Sequence, residues 1–239
     1  MTQAVESARR DLVAANRILG HEGILDAYGH VSVRHPEDPT RFLLSRARAP
    51  ELVEETDVLE FDLDGEAVHE TGAVAYLERF IHAAIYEARP DVHAVCHNHT
   101  LSILPFSISA TPLRATIYDS RPFGDGVPVW DIADEFGTAT DLLVRTIDQG
   151  RSLARTLGDR TLALMRGHGS AVVARDARHV VSACLAMDRG ARAQLSTVLL
   201  GPTRPGDASE LEPTTGLDLD VSSDARVWEY LCRRAGVTS

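Results

Sequence analysis

The chain has 239 residues, 44% hydrophobic and 25% charged, the balance of an ordinary globular protein and a length suited to one large domain. Its 24 basic residues against 35 acidic ones give a formal net charge of −11, which argues against nucleic acid or an anionic membrane surface as a partner, since both repel acidic proteins. No apolar run approaches the roughly 18 to 20 residues that span a bilayer, and Met1 to Arg10 lack the basic-then-apolar order of a secretion signal.

The three cysteines, Cys96, Cys184 and Cys232, form no Cys-x-x-Cys pair, so buried, reduced thiols in a cytoplasmic protein are expected. With no linker between halves, residues 1–239 are expected to form a single domain.

Apolar residues at helical spacing predict an amphipathic helix from Val5 to His21, with Gly20 and Gly23 at its stop. Alternation from Tyr28 to Arg34 predicts a strand, and Pro36, Asp38 and Pro39 turn it into a second, Phe42 to Leu44. Ser45-Arg46-Ala47-Arg48 is too polar for a core, and two arginines beside a strand end are suited to hold carboxylates. A strand from Val58 to Leu63 follows, then a helix from Val74 to Ala88 whose Leu77, Ile81, Ala84, Ile85 and Ala88 share one face. Glu78 and His82 stand four apart on an adjoining face of that helix; Glu78 reads equally as a solvated helix residue or as a carboxylate near a site.

The strand Val92 to Cys96 then ends in His97-Asn98-His99. Side chains two apart on an extended backbone share a face, so both imidazoles can reach one metal ion, while Cys96 turns the other way. Alone, such a pair reads more readily as polar surface at a strand end, and a usable site needs a third ligand. Downstream, a short helix over 101–107, a strand from Leu113 to Ile117, a loop from Tyr118 to Asp131 and a helix from Ala139 to Leu157 are expected. A strand from Thr161 to Met165 meets Gly167-His168-Gly169 and resumes as Ala171 to Ala174. His168, at this tight turn, is the candidate third ligand. A long helix over 177–199, an irregular segment over 201–220 and a last helix from Ser223 to Ala235 close the chain.

In combination and in order, Gly29-His30-Val31-Ser32-Val33-Arg34, Glu78 with His82, Arg89-Pro90-Asp91, Ala94 to His99 and Gly167-His168-Gly169 resemble the class II aldolase and adducin family. The resemblance implies an α/β fold, a three-layer α/β/α sandwich on a mostly antiparallel central sheet, and a homo-oligomer, commonly a tetramer with active sites between subunits. It further implies that His97, His99 and His168 hold a divalent metal ion, Mn2+, Zn2+ or Fe2+, and that Glu78 is the acid/base.

Where the family's sugar-phosphate aldolases usually carry Asn, this chain has His30. Their Thr/Ser-Gly element is replaced by Ser45-Arg46-Ala47-Arg48, and Tyr76-Leu77 stand where they have Ser-Ser before the glutamate. These exchanges remove a phosphate cradle and introduce groups that suit planar carboxylates. The pattern is similar to the branch that decarboxylates hydroxylated aromatic dicarboxylates, such as dihydroxyphthalate and hydroxypyridine dicarboxylate. The expectation is a metal-dependent carbon–carbon lyase of aromatic catabolism acting on a small aromatic carboxylate. Glu78 would transfer the proton, with His30 as second choice, and Ser45, Arg46 and Arg48 would bind substrate. An aldolase of unphosphorylated hydroxy-keto compounds and a catalytically inactive adducin-like interaction domain are the alternatives. His82 is expected to support the site indirectly or to pack.

Overall fold

The computed structural model describes residues 2–70, 72–124, 126–201 and 225–237. Helix α1, Gln3–His21, opens with Thr2 accepting a hydrogen bond from the Val5 amide. Strands β1 (His30–Arg34), β2 (Arg41–Ser45) and β3 (Val58–Asp62) follow, then α2 (Arg79–Ala88) and β4 (Ala94–Asn98). The short α3 (Leu104–Ile108), β5 (Val129–Trp130), α4 (Ile132–Phe136) and α5 (Ile147–Leu157) lead to β6 (Leu162–Met165) and β7 (Gly169–Ala174), and α6 (Ala177–Leu200) and α7 (Ala225–Arg234) complete the described elements.

The strands form one seven-stranded sheet in the order β3-β2-β1-β4-β7-β6-β5, antiparallel except for the β5–β6 pair. Strand alternation sends Val31, Val33, Cys96 and Val172 to one face, where they pack with Leu12, Ile18 and Val181. Phe42, Leu44, Val95 and Val173 go to the other, against Ile81 and Ile85 of α2 and Leu153 and Leu157 of α5. Helices thus cover both faces, giving the three-layer α/β/α arrangement expected from the sequence. Each fully buried Leu or Ile contributes roughly 1.5–3 kcal/mol to this packing. Among the described residues no helix is long and apolar enough to cross a membrane.

Four predicted segments differ among the described residues. The helix predicted from Val74 begins only at Arg79, because the preceding backbone is held elsewhere: the Ala47 amide donates to the Val74 carbonyl, and the Tyr76 hydroxyl donates to the Arg48 carbonyl. Residues 113–117 form no strand; the Val127 and Ala115 amides donate to the Leu113 and Gly124 carbonyls, but no ladder develops. The helix predicted from Ala139 begins at Ile147, where Thr146 and Gln149 form a capping box, and upstream Leu142 sits at φ 68°. The expected loop over 118–131 contains a 3-10 turn, Tyr118–Phe123, and β5. Of the predicted irregular segment, residues 202–220 lie outside the described residues, as does the predicted helix start at Ser223.

Candidate metal centre

Registration of β1, β4 and β7 assembles the site. His30 pairs with His97 across β1 and β4, and His97 pairs with Ala171 across β4 and β7. The β6–β7 turn therefore lands beside the end of β4. Gly167 takes φ +65°, and a side chain at Gly169 would run into the Asn98 carbonyl, so both glycines are required to bring His168 to His99.

The result is a compact donor set. His99 Nε2 lies 3.0 Å from His97 Nε2 and 3.2 Å from His168 Nε2, and Glu78 Oε2 lies 3.3 Å from His97 Nε2 and 3.5 Å from His168 Nε2. One ligand atom from each of the four residues falls within 4.8 Å of every other. Tetrahedral ligands at about 2.05 Å from an ion stand about 3.3 Å apart, so these separations suit a single cation. The outer hydrogen bonds agree with that. His97 Nδ1 donates to the Ser170 carbonyl at 3.1 Å and His99 Nδ1 donates to Asp26 Oδ2 at 3.0 Å, which leaves bare lone pairs on both Nε2 atoms. Lone pairs facing each other at this distance repel unless a cation lies between them. The donors, three imidazoles and a carboxylate, fit a divalent transition metal.

Glu78 is not on the helix but at its N-cap position, immediately before Arg79. Its Oε1 accepts from the Val144 amide at 2.9 Å, which turns Oε2 to the histidines. Burial alone would raise its pKa, as a resting proton donor requires. Opposing burial, the imidazoles of His97 and His168 beside Oε2 favour the ionised form and hold the carboxyl well below the usual range, so the resting group is a carboxylate.

A cavity of about 800 Å3 opens over this cluster, with Glu78, His99, His168 and His30 in its walls. Arg48 is the one arginine among its described lining residues, and Tyr28, Tyr76, Leu77, Leu142 and Leu143 supply broad apolar surface. Arg46 and Ser45, both expected to bind substrate, do not line it. Arg46 Nε donates to Asp57 Oδ1 at 2.6 Å, and Ser45 is fully buried at the end of β2. Arg48 also donates to Asp57, through Nη1 to Oδ2 at 2.6 Å. Burial disfavours the Asp57 charge, but the Glu54 amide and these two guanidinium groups outweigh it and lower its pKa. The arginines therefore owe their position to a buried carboxylate that the sequence reading passed over. His30 is buried with its ring 4.3 Å from that of Tyr76, and its Nδ1 is bonded to His82, which takes no part in the donor set. Burial, then the neighbouring His82 and His97, push the His30 pKa well below that of a free imidazole.

Asp26 was also missed. Besides His99 it accepts from the amides of Tyr28 and Gly29, both at 2.9 Å, so the loop before β1 is folded around the carboxylate that orients a ligand. Asp26→Asn should weaken divalent-metal affinity roughly 10- to 100-fold while leaving the fold intact, as read by competition with a chromophoric chelator. Unchanged affinity would show that the Asp26–His99 bond has no bearing on the ion.

Residues 10–195 match the family described as Class II Aldolase and Adducin N-terminal domain. The chain is 36% identical over 176 residues to a protein of the fungus Talaromyces stipitatus named decarboxylase tropJ, covering 69% of this chain and 66% of the relative. It is 29% identical over 209 residues to a 3,4-dihydroxyphthalate decarboxylase of Arthrobacter keyseri, covering 81% and 80% of the two chains. Among solved structures, an aldolase II superfamily protein from Pseudomonas syringae superposes with a TM-score of 0.81 at 23% identity, over 98% of this chain and 94% of the other.

Proposed function

The chain belongs to the class II aldolase and adducin family, and from that membership we propose that it is a metal-dependent, non-oxidative decarboxylase of a hydroxylated aromatic dicarboxylate, of the dihydroxyphthalate type. The observation that carries the reading is the cavity itself. It has a metal-suited cluster with a carboxylate in its wall, one arginine among the described lining residues, and aromatic and aliphatic surface for a flat ring. The two relatives named decarboxylases support it.

His97, His99 and His168 would hold the divalent ion, which when bound supplies Lewis-acid stabilisation of negative charge on an oxygen beside the breaking bond. The remaining work falls to the chain's own groups. Glu78, ionised at rest, accepts the proton of the ring hydroxyl that neighbours the departing carboxylate. The bond between ring carbon and carboxylate then breaks, carbon dioxide leaves, and the electron pair stays with the ring. Glu78 returns its proton to that carbon, and water reprotonates the product oxygen. Because Glu78 is ionised at rest, the proton it delivers is one it first collects. Arg48, still tethered to Asp57 through one nitrogen, pairs with the carboxylate that remains, because pairing with the departing one would favour the ground state over the transition state.

Leu101 and Ile108 are 80% and 67% exposed, and Ile108 approaches Gly167 beside the site, which supports a homo-oligomer, a tetramer by family resemblance, with its contact near the cavity. The buried free thiols support a reducing, cytoplasmic setting.

Carbon dioxide release from 3,4-dihydroxyphthalate and its hydroxypyridine analogues, measured beside an aldol-cleavage assay on the zinc-, manganese- and iron-loaded protein, tests the reading. Decarboxylation of at least one member is expected; aldol cleavage without decarboxylation would replace it with the aldolase. In the same assay Arg48→Leu should raise KM roughly 10- to 100-fold, the worth of one charge-assisted hydrogen bond, whereas Arg46→Leu should change it little.

A further inference from the structure

Beneath His30 lies a row of polar side chains for which the proposed reaction has no use. His30 and Ser32 occupy alternate positions of β1 on the face toward α2, and His82 and Tyr86 are one helical turn apart on α2. The four interleave. His30 Nδ1 lies 2.7 Å from His82 Nε2, His82 Nδ1 lies 2.6 Å from Ser32 Oγ, and Ser32 Oγ lies 2.8 Å from the Tyr86 hydroxyl. All four residues are at most 1% exposed, and the Phe42 ring packs against both His82 and Tyr86.

We propose that Tyr86, Ser32 and His82 form a one-directional hydrogen-bond chain that fixes His30 as a neutral imidazole with its proton on Nε2, presenting an N–H donor to the cavity. The direction follows from counting protons. A buried phenol has one proton and loses free energy if that proton lacks an acceptor, and among the described residues the side chain its hydroxyl bonds is that of Ser32. Burial pushes the Tyr86 pKa above that of a free phenol, so the proton stays on the hydroxyl. The Arg34 guanidinium, 4.8 Å over the Tyr86 ring, adds a positive charge at that end. Ser32, accepting from Tyr86, has its own proton left for His82 Nδ1. His82 must then carry its proton on Nε2 and donate it to His30 Nδ1. His30, its Nδ1 used as an acceptor, carries its proton on Nε2, the ring edge left for the cavity it lines.

The chain ends in a hydroxyl rather than a carboxylate, and that sets the chemistry. A carboxylate at its root would favour an imidazolium; a phenol does not. Burial also drives the His82 pKa down to about 3, so the link between the two rings stays neutral. A neutral N–H is a poor proton source and a good partner for an oxygen on which negative charge grows. In the proposed decarboxylation, His30 would stabilise the charge that forms as carbon dioxide leaves, and Glu78 would be the only proton carrier. Tyr86, Ser32 and His82 are then positioning residues. The catalytic part rests on the decarboxylase reading, whereas the tautomer does not.

The test is long-range 1H–15N NMR of the zinc-loaded protein with 15N-labelled histidine, the His30 ring identified by its loss in His30→Asn. A protonated Nε2 and an unprotonated Nδ1 are expected; the opposite tautomer or a doubly protonated ring overturns the proposal. Glutamine at position 82 can accept from Ser32 through its carbonyl and donate to His30 through its amide, so His82→Gln should keep the tautomer, and His82→Leu should lose it. Equal disturbance by both would also overturn the proposal. In turnover, His82→Leu and Tyr86→Phe should each lower kcat about tenfold with KM nearly unchanged, and His82→Gln should recover most of the loss. The tautomer is read without substrate, so a protein that decarboxylates nothing still decides the proposal. A wrong tautomer in a protein that does decarboxylate overturns the chain alone.

Discussion

Replacing His99 with alanine is expected to leave a folded protein that no longer retains a divalent ion and turns over at about one-thousandth of the wild-type rate or less. His99 stands just beyond β4 with its side chain 18% exposed, so its loss opens no hole in the core. His97, by contrast, is fully buried, and His97→Ala mixes loss of a ligand with the roughly 2–5 kcal/mol of a large-to-small core substitution. His99 is also the hub of the cluster, because its Nε2 is the atom closest to both other imidazoles. Removing it leaves His97 and His168 without the donor that completes a three-imidazole face. Lewis-acid stabilisation of developing charge is worth several kcal/mol, and at one factor of ten per 1.4 kcal/mol this gives the thousandfold loss. Metal content by plasma emission spectrometry, alongside circular dichroism to verify the fold, checks it. A variant with a full complement of metal and near-normal turnover would place the ion elsewhere and undo the assignment of the centre.

The histidines of this centre were legible in the sequence because each is set by local geometry. Two-residue periodicity puts His97 and His99 on one side of a strand, and the glycines around His168 announce a tight turn. What brings the turn to the strand is the β4–β7 register, and here the ordered motifs of a family resemblance did what periodicity could not. Glu78 illustrates the limit. Apolar spacing over 74–88 is helical, but the segment before Arg79 is held out of the helix by Ala47 and Arg48, contacts about 28 residues distant in sequence that no local pattern encodes. The same limit explains Arg46 and Arg48. Their spacing invited a shared role, and it is Asp57 that divides them, leaving one on the cavity wall and one outside it. Asp26 and Tyr86 carry no signal of their own and Ser32 only that of a motif; each acquires its part only when β1, α2 and the end of β4 meet.

Glu78→Gln separates the two parts that the carboxylate can play. Glutamine is nearly isosteric, and its carbonyl can accept from the Val144 amide as Glu78 Oε1 does, so the side chain should keep its place and the fold its stability. What changes is chemistry: the amide can neither take the hydroxyl proton nor return it to carbon. A loss of roughly 10²- to 10⁴-fold in kcat is expected, the usual range for a general acid/base, with the three imidazoles still retaining the ion. If the metal leaves with the carboxylate, Glu78 is chiefly a fourth ligand and the proton carrier must be sought elsewhere. If both metal and rate persist, Glu78 has neither role. Turnover in deuterated water adds a direct readout, because the wild-type enzyme should place one deuterium at the carbon that lost carbon dioxide. A proton collected by Glu78 from an exchangeable hydroxyl is itself solvent-derived, so the wild-type label must be complete. In Glu78→Gln the residual turnover should carry the same label at the reduced rate. The label shows that the proton is solvent-derived in both, and it is a lowered kcat with the ion retained that identifies proton transfer as the step Glu78 serves.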